Sequence, residues 1–240
     1  MKNKEERSSV PRHIVLFPDG NRRWARERGL DTLKGHKAGY ENLLKFREWC
    51  QERGVKALTA FGFSTENWNR TEKEVSYLMK LLETGLVRHF KRYLKEEELK
   101  RLGVRVRVIG QIDRLPKSLQ KVISEVEEGT KGNDTFFLNL AISYGGRWDI
   151  VQAAQRAMRE GVSPDELTEE RFASYLSTSG LPDPDLVIRA GGEMRFSNFV
   201  LWQAAYAELF FEPKYWPDFT EEDLDRVLAE YARRQRRFGE

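Results

Sequence analysis

Two hydrophobic rhythms alternate along the chain. Short runs rich in apolar and β-branched residues stand at Ile14–Phe17, Val55–Phe63, Val104–Ile109, Phe136–Ser143 and Leu186–Arg189. They predict strands, and those apolar throughout predict strands covered on both faces. Between them, apolar residues recur at three- and four-residue spacing, which predicts helices over about Gly35–Arg53, Glu72–Leu102, Arg114–Thr130, Gly145–Gly161, Leu167–Leu176 and Glu221–Arg236. Gly54 and Gly161 stand where two of these helices should stop. After the first strand the chain breaks at Pro18-Asp19-Gly20-Asn21 and resumes as a helix-like Arg-Arg-Trp-Ala-Arg-Glu-Arg, with Asn21 placed to cap it.

Strands alternating with helices, without repeats or low-complexity linkers, predict an α/β fold around a parallel sheet. We expect one domain over residues 11–240, preceded by a loose polar tail over residues 1–10. Ligands of such sheets sit outside the carboxyl ends of the strands. That rule selects Pro18–Arg23, Ser64–Arg70, Tyr144–Arg147 and Arg189–Ser197, all rich in glycine, asparagine, arginine or carboxylates.

Composition narrows the function classes. The 240 residues carry 41 basic and 38 acidic side chains, too even a balance to predict a nucleic-acid partner. The single cysteine, Cys50, has no internal disulfide partner and fits a reducing, cytoplasmic setting. No segment is long and apolar enough to span a membrane, and the polar first residues do not make a secretory signal. The cysteine pairs, HExxH and GxxxxGK[ST] patterns of zinc and P-loop sites are lacking.

What remains points to phosphate. Gly20 allows close backbone approach, while Arg22 and Arg23 stand in a first helical turn, where cations serve a bound anion better than they serve the helix. Asp19 is placed to hold Mg²⁺ on the same diphosphate. Arg189 and Arg195 flank a glycine turn beside Ser197, a second cradle for phosphate oxygens. Taken singly, each motif also fits a capped turn or a surface loop with a Glu193–Arg195 pair; together they suggest two phosphorylated ligands. The loop after the second strand offers Glu66, Asn67 and Arg70, and His36 stands in the helical stretch Gly35–Arg53 before that strand. The stripe Val75, Leu78, Met79, Leu82, Leu86 and Phe90 fits core packing or the wall of a lipid tunnel. The segment LWQAAYAELFFEPKYWPDF fits buried core or a dimer face, and its lone Glu208 needs a cation, a metal or an arginine if buried.

HIVLFPDGNRRWA, GHKAG, FGFSTENWNR, NLAISYGGRWDIV, DLVIRAGGEMRFSNFVLWQAAYAELFF, WPDF and RRFG, from Arg12 to Gly239, resemble the cis-prenyltransferases, which include the undecaprenyl and dehydrodolichyl diphosphate synthases. The resemblance implies a mainly parallel six-stranded sheet wrapped by helices, with a hydrophobic tunnel, usually in a homodimer. It also implies condensation of isopentenyl diphosphate with an allylic prenyl diphosphate. Asp19 would bind Mg²⁺, joined by Glu208 across the dimer. Gly20, Asn21, Arg22, Arg23 and His36, with Trp24, would hold the allylic diphosphate. Arg189, Arg195 and Ser197 would hold isopentenyl diphosphate. Ser64, Asn67 and Arg70 belong to a loop tied to proton removal and positioning, with Phe63 and Trp68 lining the primer's path. Arg237-Phe-Gly239 resembles a tail set beside the partner's site in some members.

Three positions depart from the pattern: Pro18 for Met, Thr32 for Arg and Ala190 for Thr. Proline before Asp-Gly also occurs in lavandulyl-type relatives, which join units head-to-middle but tend to lose the Asn67, Trp68 and Glu208 features kept here. Gly62 and the long helix with LKEEELKRL point to a long product, released at a membrane periphery. A non-catalytic partner subunit would lose the phosphate arginines and Asp19, all present here.

Overall fold

The computed structural model describes residues 10–96 and 101–234. Most of the expected tail, part of LKEEELKRL, the side chain of Phe90 and the Arg237–Gly239 motif lie outside the described residues. The order is β1 (His13–Phe17), α1 (Asn21–Glu27), α2 (Thr32–Glu52), β2 (Ala57–Ser64), α3 (Glu72–Lys95), β3 (Val104–Ile109), α4 (Lys117–Thr130), β4 (Phe136–Tyr144), α5 (Gly146–Arg159), α6 (Glu169–Ala173), β5 (Leu186–Arg189), β6 (Glu208–Phe211) and α7 (Glu221–Arg233). The six strands form one sheet in the order β3-β4-β2-β1-β5-β6, and every pairing is parallel.

β1 is buried along its whole length, as a strand covered on both faces must be. Its side chains alternate between two cores: Ile14 and Leu16 face the larger, with Phe46, Leu58, Trp216 and Leu224, while Val15 and Phe17 face the smaller, with Tyr144, Phe199 and Val200. Two differences from the sequence reading have local causes. α2 begins at Thr32 because the Asp31 side chain accepts from Leu33 N (2.8 Å), a cap the apolar spacing does not show. β6 was read only as buried core or a dimer face. Its four residues are too few for a period, and only alignment with β5, Leu186 opposite Glu208, makes them a strand.

α1 and α2 cross with almost no space between their backbones. A Cβ at Gly35 would stand 2.0 Å from the Asn21 carbonyl oxygen, and one at Gly39 2.2 Å from Asn21 Oδ1. These glycines bring the arginines of α1 beside His36 of α2. At the other flank of the sheet, three outward groups of edge strand β3 are taken by side chains. Val106 N donates to Thr130 Oγ1 (3.1 Å), Val108 N to Glu127 Oε1 (2.7 Å), and Asn133 Nδ2 donates to Val104 O (2.7 Å).

Inside the sheet His13 Nδ1 donates to Pro182 O (2.7 Å) and Nε2 pairs with Thr59 Oγ1 (2.8 Å), which also accepts from Asn139 Nδ2 (3.2 Å). Burial pushes the His13 imidazole below its ordinary range, against the hydrogen bond to Pro182 and the charge of Asp185. His36 and His89 are also lowered, burial being the largest cause in each.

Gly35→Ala is expected to cost about 1–3 kcal/mol by forcing the α1–α2 crossing apart, read as a lowered urea midpoint with an unchanged slope; an unchanged midpoint would refute the close crossing. All three histidines have folded pKa values below the reference of 6.5, so the unfolded chain binds more protons as pH falls through that value. Stability is expected to be full above pH ~6.5 and to fall toward pH 5 by up to ~1.4 kcal/mol per pH unit for each histidine that stays neutral. Denaturant midpoints that do not move between pH 7.5 and 5 would contradict this.

Candidate active site

A cavity of about 890 Å³ opens outside the C-terminal ends of β1, β2 and β5, where the strand-end rule places it. Six arginines (Arg22, Arg23, Arg26, Arg70, Arg189 and Arg195) against three carboxylates (Asp19, Glu66 and Glu193) make its mouth cationic. Deeper in, Tyr40, Leu43, Phe61, Phe63, Leu78, Leu81 and Leu82 make an apolar wall. The stripe on α3 therefore divides: Leu78 and Leu82 line the cavity, while Val75, Met79 and Leu86 join the core without lining it.

The mouth is organised on Arg189, the last residue of β5 and 4% exposed. Its Nη2 donates to Asp19 Oδ2 (2.8 Å), and its Nη1 donates to Ser197 Oγ (2.8 Å) and to the Arg195 carbonyl. Phe17 lies under the guanidinium, 5.0 Å from ring centroid to Cζ. One buried fork thus binds the turn after β1 to the loop after β5. That loop is wound tightly: Gly191, Gly192, Ser197, Asn198 and Val200 all have positive φ. Three of these are not glycine, and two of them, Ser197 and Asn198, line the cavity. Gly191 has φ 88°, and a Cβ there would stand 3.0 Å from the Asp19 carbonyl carbon and from Arg23 Nη2, so a side chain would be strained and would press the two loops apart.

Gly20 precedes α1 at φ 94°, and its N–H donates to Asp19 Oδ1 (2.6 Å). Asn21 does not cap α1. It is the first helical residue, and its Nδ2 donates back to Pro18 O (3.0 Å). Arg23 reaches Glu193 (3.3 Å) and Asp19 (3.7 Å) and lies over the Tyr215 ring (5.3 Å). Arg195 pairs with Glu193. Ser64 N donates to Asn67 Oδ1 (3.1 Å), which closes the loop after β2. Glu66 accepts from Asn198 Nδ2 (2.9 Å). Burial pushes the Glu66 carboxyl up, but hydrogen bonds from Asn198, its own N–H, Ser64 and Thr65 outweigh it and hold the group below its ordinary value.

Of the expected site residues, the structure gathers Asp19, Gly20, Asn21, Arg22, Arg23, His36, Phe63, Ser64, Asn67, Arg70, Arg189, Arg195 and Ser197 around this cavity. Three do not line it. Trp24 turns to the opposite face of α1, donating from Nε1 to Asp218 Oδ1 (2.6 Å) under the Arg28 guanidinium. Trp68 packs behind Phe63 (5.0 Å, edge-to-face) and donates from Nε1 to Ser143 Oγ (2.9 Å). Glu208 opens β6, level with Leu186 and so with Ile14, at the amino end of the sheet away from Asp19, and pairs there with Arg234 (3.1 Å). Thr32 starts α2 outside the lining, whereas Arg22 and Arg26 are in it. Sequence reasoning missed Tyr40, Glu74, Asn198 and Tyr215. Glu74 was hidden as one acidic residue of a helix first turn.

Among the described residues no cluster of three histidine, cysteine or carboxylate side chains could cage a metal. The donor set at Asp19 fits a different kind of site. Each of its oxygens already accepts one hydrogen bond, and the side chain is 37% exposed toward the mouth. Mg²⁺ is commonly held by one carboxylate together with water and substrate phosphates.

A family model described as "Putative undecaprenyl diphosphate synthase" matches residues 17–239. The chain belongs to the cis-prenyltransferase family. It is 48% identical to the isoprenyl transferase of Aquifex aeolicus, over 96% of this chain and 96% of that one. It is equally similar to the ditrans,polycis-undecaprenyl-diphosphate synthase ((2E,6E)-farnesyl-diphosphate specific) of Pseudomonas syringae pv. tomato, 48% over 97% and 92%. Among solved structures it resembles lavandulyl diphosphate synthase from Lavandula x intermedia in complex with dimethylallyl diphosphate. That match has a TM-score of 0.90 and 38% identity, over 97% of this chain and 99% of that one. A probable undecaprenyl diphosphate synthase from Campylobacter jejuni gives 0.79 and 34%, over 96% and 99%. As a cis-prenyltransferase this chain is a prenyl-transferring enzyme, and its all-parallel six-stranded sheet agrees with the fold the motifs implied.

Arg189→Lys keeps the charge but loses the fork, and is expected to cost about 1–3 kcal/mol of stability through the lost charge-assisted hydrogen bonds. A chemical-denaturation midpoint equal to the parent's would show that the fork does not brace the two loops.

Proposed function

We propose that this cis-prenyltransferase condenses isopentenyl diphosphate with an allylic prenyl diphosphate primer to make a long Z-polyprenyl diphosphate, a lipid-carrier precursor. The observation that carries the reading is the cavity itself: a mouth of six arginines over a wall of leucines and aromatic rings, matched to ligands with anionic heads and apolar tails. Arg22, Arg23, Arg70 and His36, with the turn at Gly20-Asn21, hold the allylic diphosphate. Arg189, Arg195 and Ser197 hold isopentenyl diphosphate. Asp19, between the two groups, is the residue that would hold Mg²⁺, and that ion would supply positive charge to the departing diphosphate.

The reaction breaks the C1–O bond of the primer and forms a carbon–carbon bond from the isopentenyl double bond to C1. Diphosphate leaves and one proton is lost to set the Z double bond. The arginines stabilise charge on the leaving oxygen, and an aligned pair of substrates removes much of the entropic barrier. Ser64 and Asn67 hold the loop that positions the reacting ends, while Phe63, Leu78 and Leu82 keep water from the carbocation-like centre. Glu208, at the other end of the sheet from its own Asp19, would serve the metal of a partner copy in a homodimer, as the family resemblance implies. No helix among the described residues is long and apolar enough to cross a membrane. We place the enzyme in the cytoplasm, touching the membrane peripherally to release product.

A head-to-middle reading draws on the lavandulyl diphosphate synthase likeness and on Pro18. Purified protein with labelled isopentenyl diphosphate, Mg²⁺ and C10, C15 or C20 primers decides between them. A ladder of Z-products is expected, a branched product replaces our reading, and no incorporation ends it. Asp19→Ala is expected to cost about 2–4 kcal/mol of transition-state stabilisation in kcat/KM, and chelation should remove turnover in the parent. Unchanged turnover in either case would overturn the role of Asp19.

A further inference from the structure

The segment between β6 and α7 does not line the cavity, yet it is tied to both loops of the mouth. Gly191 N, in the loop after β5, donates to Lys214 O (2.8 Å), and Trp216 N donates to Asp19 O (2.9 Å) in the turn after β1. The residue between these two backbone ties is Tyr215, whose ring has no part in the chemistry above. That ring lies against the turn at Gly20, where a Cβ would stand 2.6 Å from Tyr215 Cδ1, so the missing side chain makes room for it. Its hydroxyl donates to Oε1 of Glu27, the last residue of α1, and that hydrogen bond is the largest cause of a phenol pKa above its ordinary value. Over the face of the ring, 5.3 Å from its centroid, lies Cζ of Arg23.

Arg23 lines the cavity, and its carboxylate neighbours hold it only at a distance. Glu193 lies at 3.3 Å and Asp19 at 3.7 Å, both beyond the about 2.8 Å of a charge-assisted hydrogen bond. A long side chain left in that condition must be ordered when a ligand binds, at a cost in affinity. A carboxylate behind the guanidinium could fix it only by taking N–H groups that a phosphate would otherwise receive. An aromatic face attracts the cation through its quadrupole and leaves the N–H groups in the guanidinium plane unspent. The Tyr215 ring therefore orients Arg23 while its donors stay free for a ligand.

We propose that Tyr215 is a positioning residue: its ring is the plate on which the Arg23 guanidinium is set for the allylic diphosphate, with Gly20 and Glu27 holding the ring in place. The proposal rests on assigning Arg23 to the allylic diphosphate. Ring and guanidinium meet before substrate arrives, so the effect belongs in affinity for that substrate.

The test measures both KM values, kcat and the thermal midpoint of the full chain with Mg²⁺, a C15 allylic diphosphate and isopentenyl diphosphate. Tyr215→Leu is expected to raise the allylic KM by about fivefold to tenfold, with less than about a twofold change in the isopentenyl KM. Tyr215→Phe keeps the ring and loses only the Glu27 bond, and is expected to bring the allylic KM back to within about twofold of the parent's. In an Arg23→Ala background Tyr215→Leu should raise the allylic KM no further, since a ring that acts through Arg23 has nothing left to hold. Four results overturn the proposal: equal changes in the two KM values, no change, Tyr215→Phe as impaired as Tyr215→Leu, or a further rise in the Arg23→Ala background. Lost stability alone would not tell the substrates apart. Arg23→Ala by itself separates the two possible failures. If it raises the allylic KM while Tyr215→Leu does not, the positioning role falls and the assignment of Arg23 stands. If it leaves the allylic KM unchanged, the assignment itself falls. Should Tyr215→Leu not fold, Tyr215→Met decides by the same split.

Discussion

A guanidinium that is 4% exposed at the end of a central strand needs partners, and the cavity is arranged around the partners Arg189 finds. Asp19 comes from the turn after β1, Ser197 and the Arg195 carbonyl from the loop after β5. Those strands are paired, Phe17 opposite Arg189, so the loops leave the sheet at one height and can be tied by one side chain. An uncompensated charge at this depth would be costly. That cost excludes arrangements in which the loops drift apart. Arg189 therefore sets the separation of the two loops and the place of the Asp19 carboxylate between them.

The same logic recurs on the other side of the mouth. Arg22, Arg70 and His36 gather on Glu74, as Arg189 gathers its loops on Asp19 and Ser197. Between the two groups lies the α1–α2 crossing, where Gly35 and Gly39 remove the side chains that would hold the helices apart. A cationic rim is unstable by its own repulsion. In this family member it is held by counter-charges placed behind or between the arginines, while the arms facing the cavity stay available.

Most of the fold was legible in the chain. The strands at β1 to β5 announce themselves as apolar or alternating runs, and their carboxyl ends locate the cavity by topology alone. β6 was not legible, because a four-residue strand carries no period and exists through its neighbour. The Arg and Gly residues of the mouth could be read because positive charge in a first helical turn and glycine beside arginine conflict with ordinary stability rules. Trp24 and Trp68 do not line the cavity, because nearness in sequence does not say which helical face a ring occupies, and both find polar partners elsewhere. Glu74 was overlooked for the opposite reason: an acidic residue in a helix first turn looks like routine dipole compensation. Only the burial of its carboxylate sets it apart, and burial is a property of the assembled fold.

The side-chain closure of β3 has a consequence for assembly. The amides of Val106 and Val108 and the carbonyl of Val104 are the groups through which an incoming strand would zip, and each is already taken. The sheet therefore has a sealed selvedge on that flank. A second molecule arriving there would meet side chains already seated on those three groups, which disfavours lengthening the layer from chain to chain through β3.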